Sequence, residues 1–336
     1  MTNLSAAIFG ISGTSLTPEE ISFFSRVNPF GYILFARNCE SPEQIKALVR
    51  KLKELSGLDN LPILIDQEGG RVARLKPPHF PIFPPAGAFA ELAGKDLEAA
   101  KKAAYLNARL IAYELYNLGI TVNCAPLADL PVPGAHDIIG DRAFGKTTKQ
   151  VIELADSFAQ GLIDGGVIPI LKHIPGHGRA FADSHLELPV VDAPIEILRQ
   201  TDFVTFKALA HLPMAMTAHV LYTAIDPEKM ATVSPRAISL IRNELGFDGL
   251  LMSDDLSMKA MQGDFTQRAR DVLNAGCDVV LHCNGDMAEM LEVEKGLCEL
   301  SGKSLERAKK SMVGAGRAKE FKVAEARQTV NNLLSV

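Results

Sequence analysis

The chain has 336 residues, of which 47% are hydrophobic and 22% charged, and its formal net charge is −5. That length and hydrophobic content support a large buried core and exclude disordered and fibrous classes, and the mild negative charge leaves no electrostatic footprint for nucleic acid. No stretch approaches a membrane span, the start from Met1 to Gly10 lacks the basic region of an export signal, and Cys39, Cys124, Cys277, Cys283 and Cys298 are scattered without Cys-x-x-Cys spacing, as reduced cytosolic thiols would be.

Short, β-branched runs bounded by glycine or proline predict buried strands at 5–10, 31–35, 61–65, 119–124, 167–171, 214–218, 249–252 and 278–281. Amphipathic patterns at 42–55, 96–118, 149–165, 195–210, 234–245 and 265–275 predict helices between them. Two helix starts carry caps, Thr17-Pro18-Glu19-Glu20 and Ser41-Pro42-Glu43, with a hydroxyl ahead of proline and acid. Eight strands alternating with helices predict an α/β chain folded as a (β/α)8 barrel, one domain over 1–336. An open doubly wound sheet competes with it, but Phe9-Gly10-Ile11-Ser12-Gly13 has the wrong glycine spacing for a dinucleotide-binding turn. From about 302 onward the chain is rich in Lys, Arg, Glu and Ala and is expected to form terminal helices packed outside the barrel.

Polar residues recur where strands end. Asp66-Gln67-Glu68 follows the third run, Ala128-Asp129 the fourth, Lys172-His173 the fifth, His219 the sixth and Ser253-Asp254-Asp255 the seventh. In a parallel barrel these all surround one mouth, where active sites lie. Taken singly, Asp66 or Asp254 fits an N-cap equally well. For the paired acids, one is expected to face the mouth and Asp255 to brace, because two carboxylates in one pocket repel.

The segment 172–185, Lys-His-Ile-Pro-Gly-His-Gly-Arg-Ala-Phe-Ala-Asp-Ser-His, concentrates titratable groups in a Gly/Pro-punctuated loop. In extended chain Asp183 and His185 project to the same side, so the carboxylate can fix the imidazole's tautomer and make it a general acid/base. The upstream glycines and proline are expected to let this loop move over a substrate. His177 fits either a ligand or a loop brace. His173, His177 and His185 match no recurring zinc spacing, and no Gly-x-Ser-x-Gly elbow supports an acyl-transfer serine.

Four segments together resemble the single-domain β-N-acetylhexosaminidases of glycoside hydrolase family three: Asp66-Gln67-Glu68-Gly69-Gly70-Arg71-Val72-Ala73-Arg74, Asp141-Arg142-Ala143-Phe144-Gly145, the 172–185 loop, and Ser253-Asp254-Asp255-Leu256-Ser257-Met258. One position departs from the family pattern, Gln67, where histidine is common. The resemblance implies a (β/α)8-like barrel and a retaining exo-β-N-acetylglucosaminidase acting on muropeptides. It implies Asp254 as nucleophile, His185 as acid/base with Asp183 as its partner, and Asp66, Arg74, Arg142, Lys172 and His173 as sugar-binding residues. It also implies no cofactor or metal, a small carbohydrate substrate, and a cytoplasmic monomer with no membrane or nucleic-acid partner. A β-glucosidase, a phosphorolytic variant and a catalytically silent sugar-binding protein are the alternatives. The last would lack Asp254, Asp183 or His185, and all three are present.

Overall fold

The computed structural model describes residues 3–134, 139–180 and 187–334. Eight parallel strands, one from each expected run, close into a barrel in sequential order: β1 (Ser5–Gly10), β2 (Pro29–Leu34), β3 (Ile63–Ile65), β4 (Val122–Asn123), β5 (Ile168–Ile174), β6 (Met214–Thr217), β7 (Leu250–Asp255) and β8 (Val279–His282). The last pairs back onto the first, with Ile8 beside Leu281.

Strands buried on both faces need apolar residues on both, and the two faces build two cores. Ile8, Leu64, Val122, Ile168, Ile170, Met214, Met216, Leu250, Met252 and Leu281 fill the barrel interior. Their neighbours Phe9, Ile65, Leu171, Ala215, Leu251 and Val280 join the shell between strands and helices. Two strands run further than the hydrophobic runs suggest. β5 continues through Lys172, His173 and Ile174, where Lys172 pairs with Met216 and Ile174 with Thr217 of β6, and β7 continues to Asp255. Charged residues were read as loop there; ladder hydrogen bonds carry the strands past the apolar stretch.

The helix Pro18–Val27 begins with a capping box in which the Thr17 hydroxyl accepts from the Glu20 N–H (3.1 Å) and the Glu20 carboxylate accepts from the Thr17 N–H (2.8 Å). The other Glu20 oxygen accepts from the Ser12 N–H (2.8 Å), so the cap also ties down the exit of β1. The pattern at 195–210 forms two short helices, Ile195–Gln200 and Asp202–Ala208, with Thr201 out of helical conformation between them. No Gly or Pro marks that break. It arises because Thr201 and Asp202 are engaged by Arg179, whose guanidinium donates to the Asp202 carboxylate (2.6 Å) and the Thr201 hydroxyl (2.9 Å).

At the end of the chain, the helix Gly302–Ser311 and the turn after it press Ala308, Met312 and Ala315 into the interior cluster and close the barrel floor. The helix Val323–Leu334 packs against Leu97–Leu118. Arg109 joins the two by donating to the Lys319 carbonyl (2.8 Å) and lying over the Phe321 ring. Among the described residues no helix is long and apolar enough to cross a membrane.

Candidate active site

At the C-terminal mouth of the barrel, strand parity decides which polar residues face inward. Leu64 points into the barrel, and so does Asp66 two residues on; Ile168 and Ile170 are followed by Lys172, and Leu250 and Met252 by Asp254. These residues form the topmost inward layer, polar where the layers beneath are apolar. Asp66, Arg74, Arg142, Lys172, His173 and Asp254 all line one cavity of about 270 Å³. Asp183 and His185 lie outside the described residues.

One wall of the cavity is a buried ion cluster. Lys172, with a side chain 3% exposed, donates to Asp66 (3.0 Å) and to Glu68 (2.6 Å). Arg74 donates to the other Asp66 oxygen (3.1 Å), and Arg142 grips both Glu68 oxygens (2.9 and 2.8 Å). Burial alone raises the pKa of Asp66, yet Lys172 and Arg74 overcome it and hold the carboxyl well below the usual range. Glu68 follows the same pattern, burial being outweighed by Lys172 and Arg142. Burial likewise pushes the Lys172 ammonium toward neutrality, but Glu68 and Asp66 hold it charged, with a pKa above the ordinary lysine value. Within this cluster two carboxylates, Asp66 and Glu68, face three cations, Lys172, Arg74 and Arg142.

Arg74 directly follows a small hairpin in which Gln67–Gly69 pairs with Val72–Ala73, and Gln67 sets its position. The Gln67 amide oxygen accepts from the N–H groups of Arg74 (2.9 Å) and Leu75 (3.0 Å), while its amide nitrogen donates to the Leu75 carbonyl (3.2 Å). A side-chain amide supplies acceptor and donor together at the position where histidine is common in the family pattern. The Arg74 guanidinium also lies over the Phe35 ring, and its Nε has no hydrogen-bond partner among the described residues, a buried donor beside the cavity.

Opposite parity separates the paired acids. The Asp255 carboxylate accepts from the N–H groups of Ser257 (3.0 Å) and Cys283 (3.1 Å) and from the Ser257 hydroxyl, so its oxygens are engaged although it borders the cavity. Among the described residues, Asp254 accepts only from the Asp255 N–H (2.8 Å), and it lines the cavity. Burial disfavours its charge, but His219 and His173 when protonated, the Asp255 N–H and Lys172 act against it, and its pKa sits below the ordinary carboxylate value. The arginines are committed to Asp66 and Glu68.

The start of the 172–185 loop is an anchor rather than the flexible turn expected from its glycines. Asp129, fully buried, accepts from the backbone N–H of His177 (2.7 Å) and of His173 (3.3 Å) and from the His173 Nδ1 (2.8 Å). The last bond places the His173 Nδ1 proton toward the carboxylate and leaves Nε2 for the cavity. Tyr222 donates to the Gly176 carbonyl, the Val132 N–H to the Gly178 carbonyl (3.2 Å), and a Cβ on Gly178 would collide with the Leu130 carbonyl at 2.0 Å. Arg179 is in turn held by Asp202 (2.6 Å), which ties this part of the loop to the surrounding helices. The glycines are required for close packing here, and His177 is a buried brace whose pKa burial lowers to about 4.

Two residues of this site carried no role in the sequence reading. Glu68 stood among the strand-end polar residues without a role, and its function as anchor for Arg142 and Lys172 depends on a contact 74 residues away in sequence. Asp129 was visible as a strand-end acid; the partners that define it were not.

The model of the glycosyl hydrolase family 3 N-terminal domain matches residues 22–331. The chain belongs to that family. A β-hexosaminidase of Alkalilimnicola ehrlichii is 41% identical over 286 residues, 84% of this chain and 81% of the relative, and one of Methylobacillus flagellatus is 40% identical over a stretch of the same length. NagZ from Neisseria gonorrhoeae, solved in complex with N-trifluoroacetyl-D-glucosamine, superposes with a TM-score of 0.89 at 32% identity over 99% of both chains. This family 3 member is a glycoside hydrolase, and its (β/α)8 barrel is the fold of that solved relative.

Proposed function

We propose that this family 3 enzyme is a retaining, exo-acting β-N-acetylglucosaminidase that removes terminal N-acetylglucosamine from peptidoglycan-derived muropeptides. The observation that carries the reading is that Asp254 shares a small cavity with Asp66, Arg74, Arg142, Lys172 and His173, groups suited to bonding sugar hydroxyls. The cavity is smaller than the roughly 300–1,000 Å³ usual for drug-sized ligands, which suits a single terminal sugar. The N-acetyl specificity draws on the β-hexosaminidase relatives and on the glucosamine derivative bound to the Neisseria NagZ. Five free cysteines suit a reducing cytoplasm.

In this reaction Asp254 attacks the anomeric carbon as the glycosidic C–O bond breaks, and His185, oriented by Asp183, gives its proton to the departing oxygen. The glycosyl ester on Asp254 is then opened by water, whose proton returns to His185, freeing the sugar and the carboxylate. Asp66, Arg74, Arg142, Lys172 and His173 hold the ring, and such positioning supplies much of the rate.

Hydrolysis of an aryl β-N-acetylglucosaminide alongside its β-glucoside counterpart tests the specificity; release from the glucoside alone overturns the N-acetyl assignment. Mass spectrometry after trapping with a fluorinated sugar is expected to find the adduct on Asp254, and an adduct on Asp255 reverses the choice between the acids. Release of N-acetylglucosamine from a disaccharide muropeptide tests the natural substrate.

A further inference from the structure

His219 is fully buried beneath the mouth, in the segment that follows β6, and no step of the proposed reaction uses it. Its two ring nitrogens have one partner each. Nε2 lies 3.0 Å from the Asp255 carbonyl and Nδ1 lies 2.7 Å from the Thr232 hydroxyl. A carbonyl only accepts, so Nε2 carries a proton. The Thr232 hydroxyl also donates to the Ala218 carbonyl (3.0 Å) and lies 2.9 Å from the Thr217 hydroxyl, so the Nδ1 edge of the ring is tied into a buried hydroxyl cluster that fixes its orientation. The charged groups bearing on the ring are Asp254, Asp255 and His173, and none forms an ion pair with it; burial dominates and lowers its pKa.

The Asp255 carbonyl is a consequential group to hold. Asp255 donates its own N–H to the Asp254 carboxylate at 2.8 Å, so the residue that His219 grips by its C=O is the one that aims the carboxylate by its N–H. The Asp255 side chain is already fixed by Ser257 and Cys283. A backbone that turned about that anchor would carry the Asp254 oxygen with it.

We propose that His219 is a positioning residue for the nucleophile: through its Nε2–H it locks the Asp255 carbonyl and thereby the direction of the Asp254 carboxylate. The proposal rests on Asp254 being the nucleophile. It places the selectivity of the strand end for one carboxylate orientation in a side chain that never meets the sugar.

The test compares His219→Leu and His219→Gln with the wild-type enzyme on an aryl β-N-acetylglucosaminide across pH, with thermal melts to confirm folding. His219→Leu is expected to lower kcat by about 100-fold, the scale of a small misplacement of a reacting group, with little change in KM. His219→Gln keeps an N–H donor and is expected to recover most of that loss. An unchanged kcat in His219→Leu, equal losses in both variants, or a loss that appears in KM and not in kcat each overturn the proposal. Trapping with a fluorinated sugar in His219→Gln separates the two levels: an adduct on Asp254 upholds the nucleophile whatever the kinetics, and an adduct elsewhere overturns the nucleophile and this proposal with it.

Discussion

At the barrel floor, Asp278 is as buried as the acids of the mouth, and its neighbours use it completely. Its carboxylate takes bonds from Arg242 (2.6 Å), the Leu251 N–H (2.9 Å), Ser304 (2.7 Å) and Arg307 (3.3 Å), under an apolar plug formed by Leu300, Ala308, Met312 and Ala315. At the mouth, Asp66, Lys172, Arg74 and Arg142 pair among themselves but also front a cavity, and a buried Arg74 Nε is left over. Charge that is spent entirely on the protein stabilises it; charge that pairs while facing open space is arranged for something that enters. The same division separates Asp255, consumed by Ser257 and Cys283, from Asp254.

The sharpest way to break this contrast is Asp254→Asn. Turnover of an aryl β-N-acetylglucosaminide is expected to fall by at least ~10⁴-fold, with sugar binding by calorimetry largely retained, since the amide fills the same space. Substantial residual turnover would show that the outward-facing charge of the mouth is not the reacting one.

Lys172→Met comes next. It strands Asp66 and Glu68 without their shared cation, and a broken buried pair costs about 3–5 kcal/mol, so urea unfolding should shift and sugar affinity should fall together. Loss of affinity at unchanged stability would mean that the cluster is less dehydrated than its burial indicates. Leu300→Ala, at the floor, is expected to cost about 2–5 kcal/mol through its cavity while kcat at low temperature stays at the wild-type value. A fall in kcat with intact folding would couple the two ends.

Stability against pH distinguishes the ends without altering catalytic groups. The pKa of His177 in the folded protein, about 4, lies below its unfolded value near 6.5, so the unfolded chain binds the extra proton. Its contribution, about 3 kcal/mol at most, is complete above pH ~6.5 and is lost as pH falls toward 4. Asp66, Glu68 and Asp129, all depressed in the fold, add further loss from about pH 4 downward. Urea midpoints measured across pH should therefore decline in two stages, and His177→Asn should flatten the first; an unaltered slope refutes the assignment. The smallest effect is expected from Arg307→Met, about 1–2 kcal/mol, because Arg242 and Ser304 still satisfy Asp278, with activity intact.

Much of this division could be read from residues alone, and the failures have physical causes. Eight apolar runs, each short and bounded by turn residues, announced the barrel strands, and Thr17 and Ser41 announced their helices. Asp66, Lys172 and Asp254 were legible as strand-end polar residues, and continuing the alternation from Leu64, Ile170 and Met252 assigns them to the inward face without any structure. The glycines of the 172–185 loop misled because glycine serves both mobility and close approach, and only the Leu130 carbonyl beside Gly178 tells which. The break at Thr201 was invisible because its cause, Arg179, is remote in sequence.

What the amino-acid sequence determined by itself was therefore periodic and local: strand number, barrel class, helix starts and the set of polar residues that end the strands. These follow from backbone geometry and from apolar residues repeating at fixed intervals. Tertiary structure alone decided the partners: that Glu68 holds Arg142, that Asp129 pins His173 and His177, and that Ser257 and Cys283 are what Asp255 braces. Hydrogen bonds and ion pairs are short-ranged contacts between residues far apart along the chain, and no local pattern encodes which of several carboxylates closure of the barrel will bring within reach of a given cation.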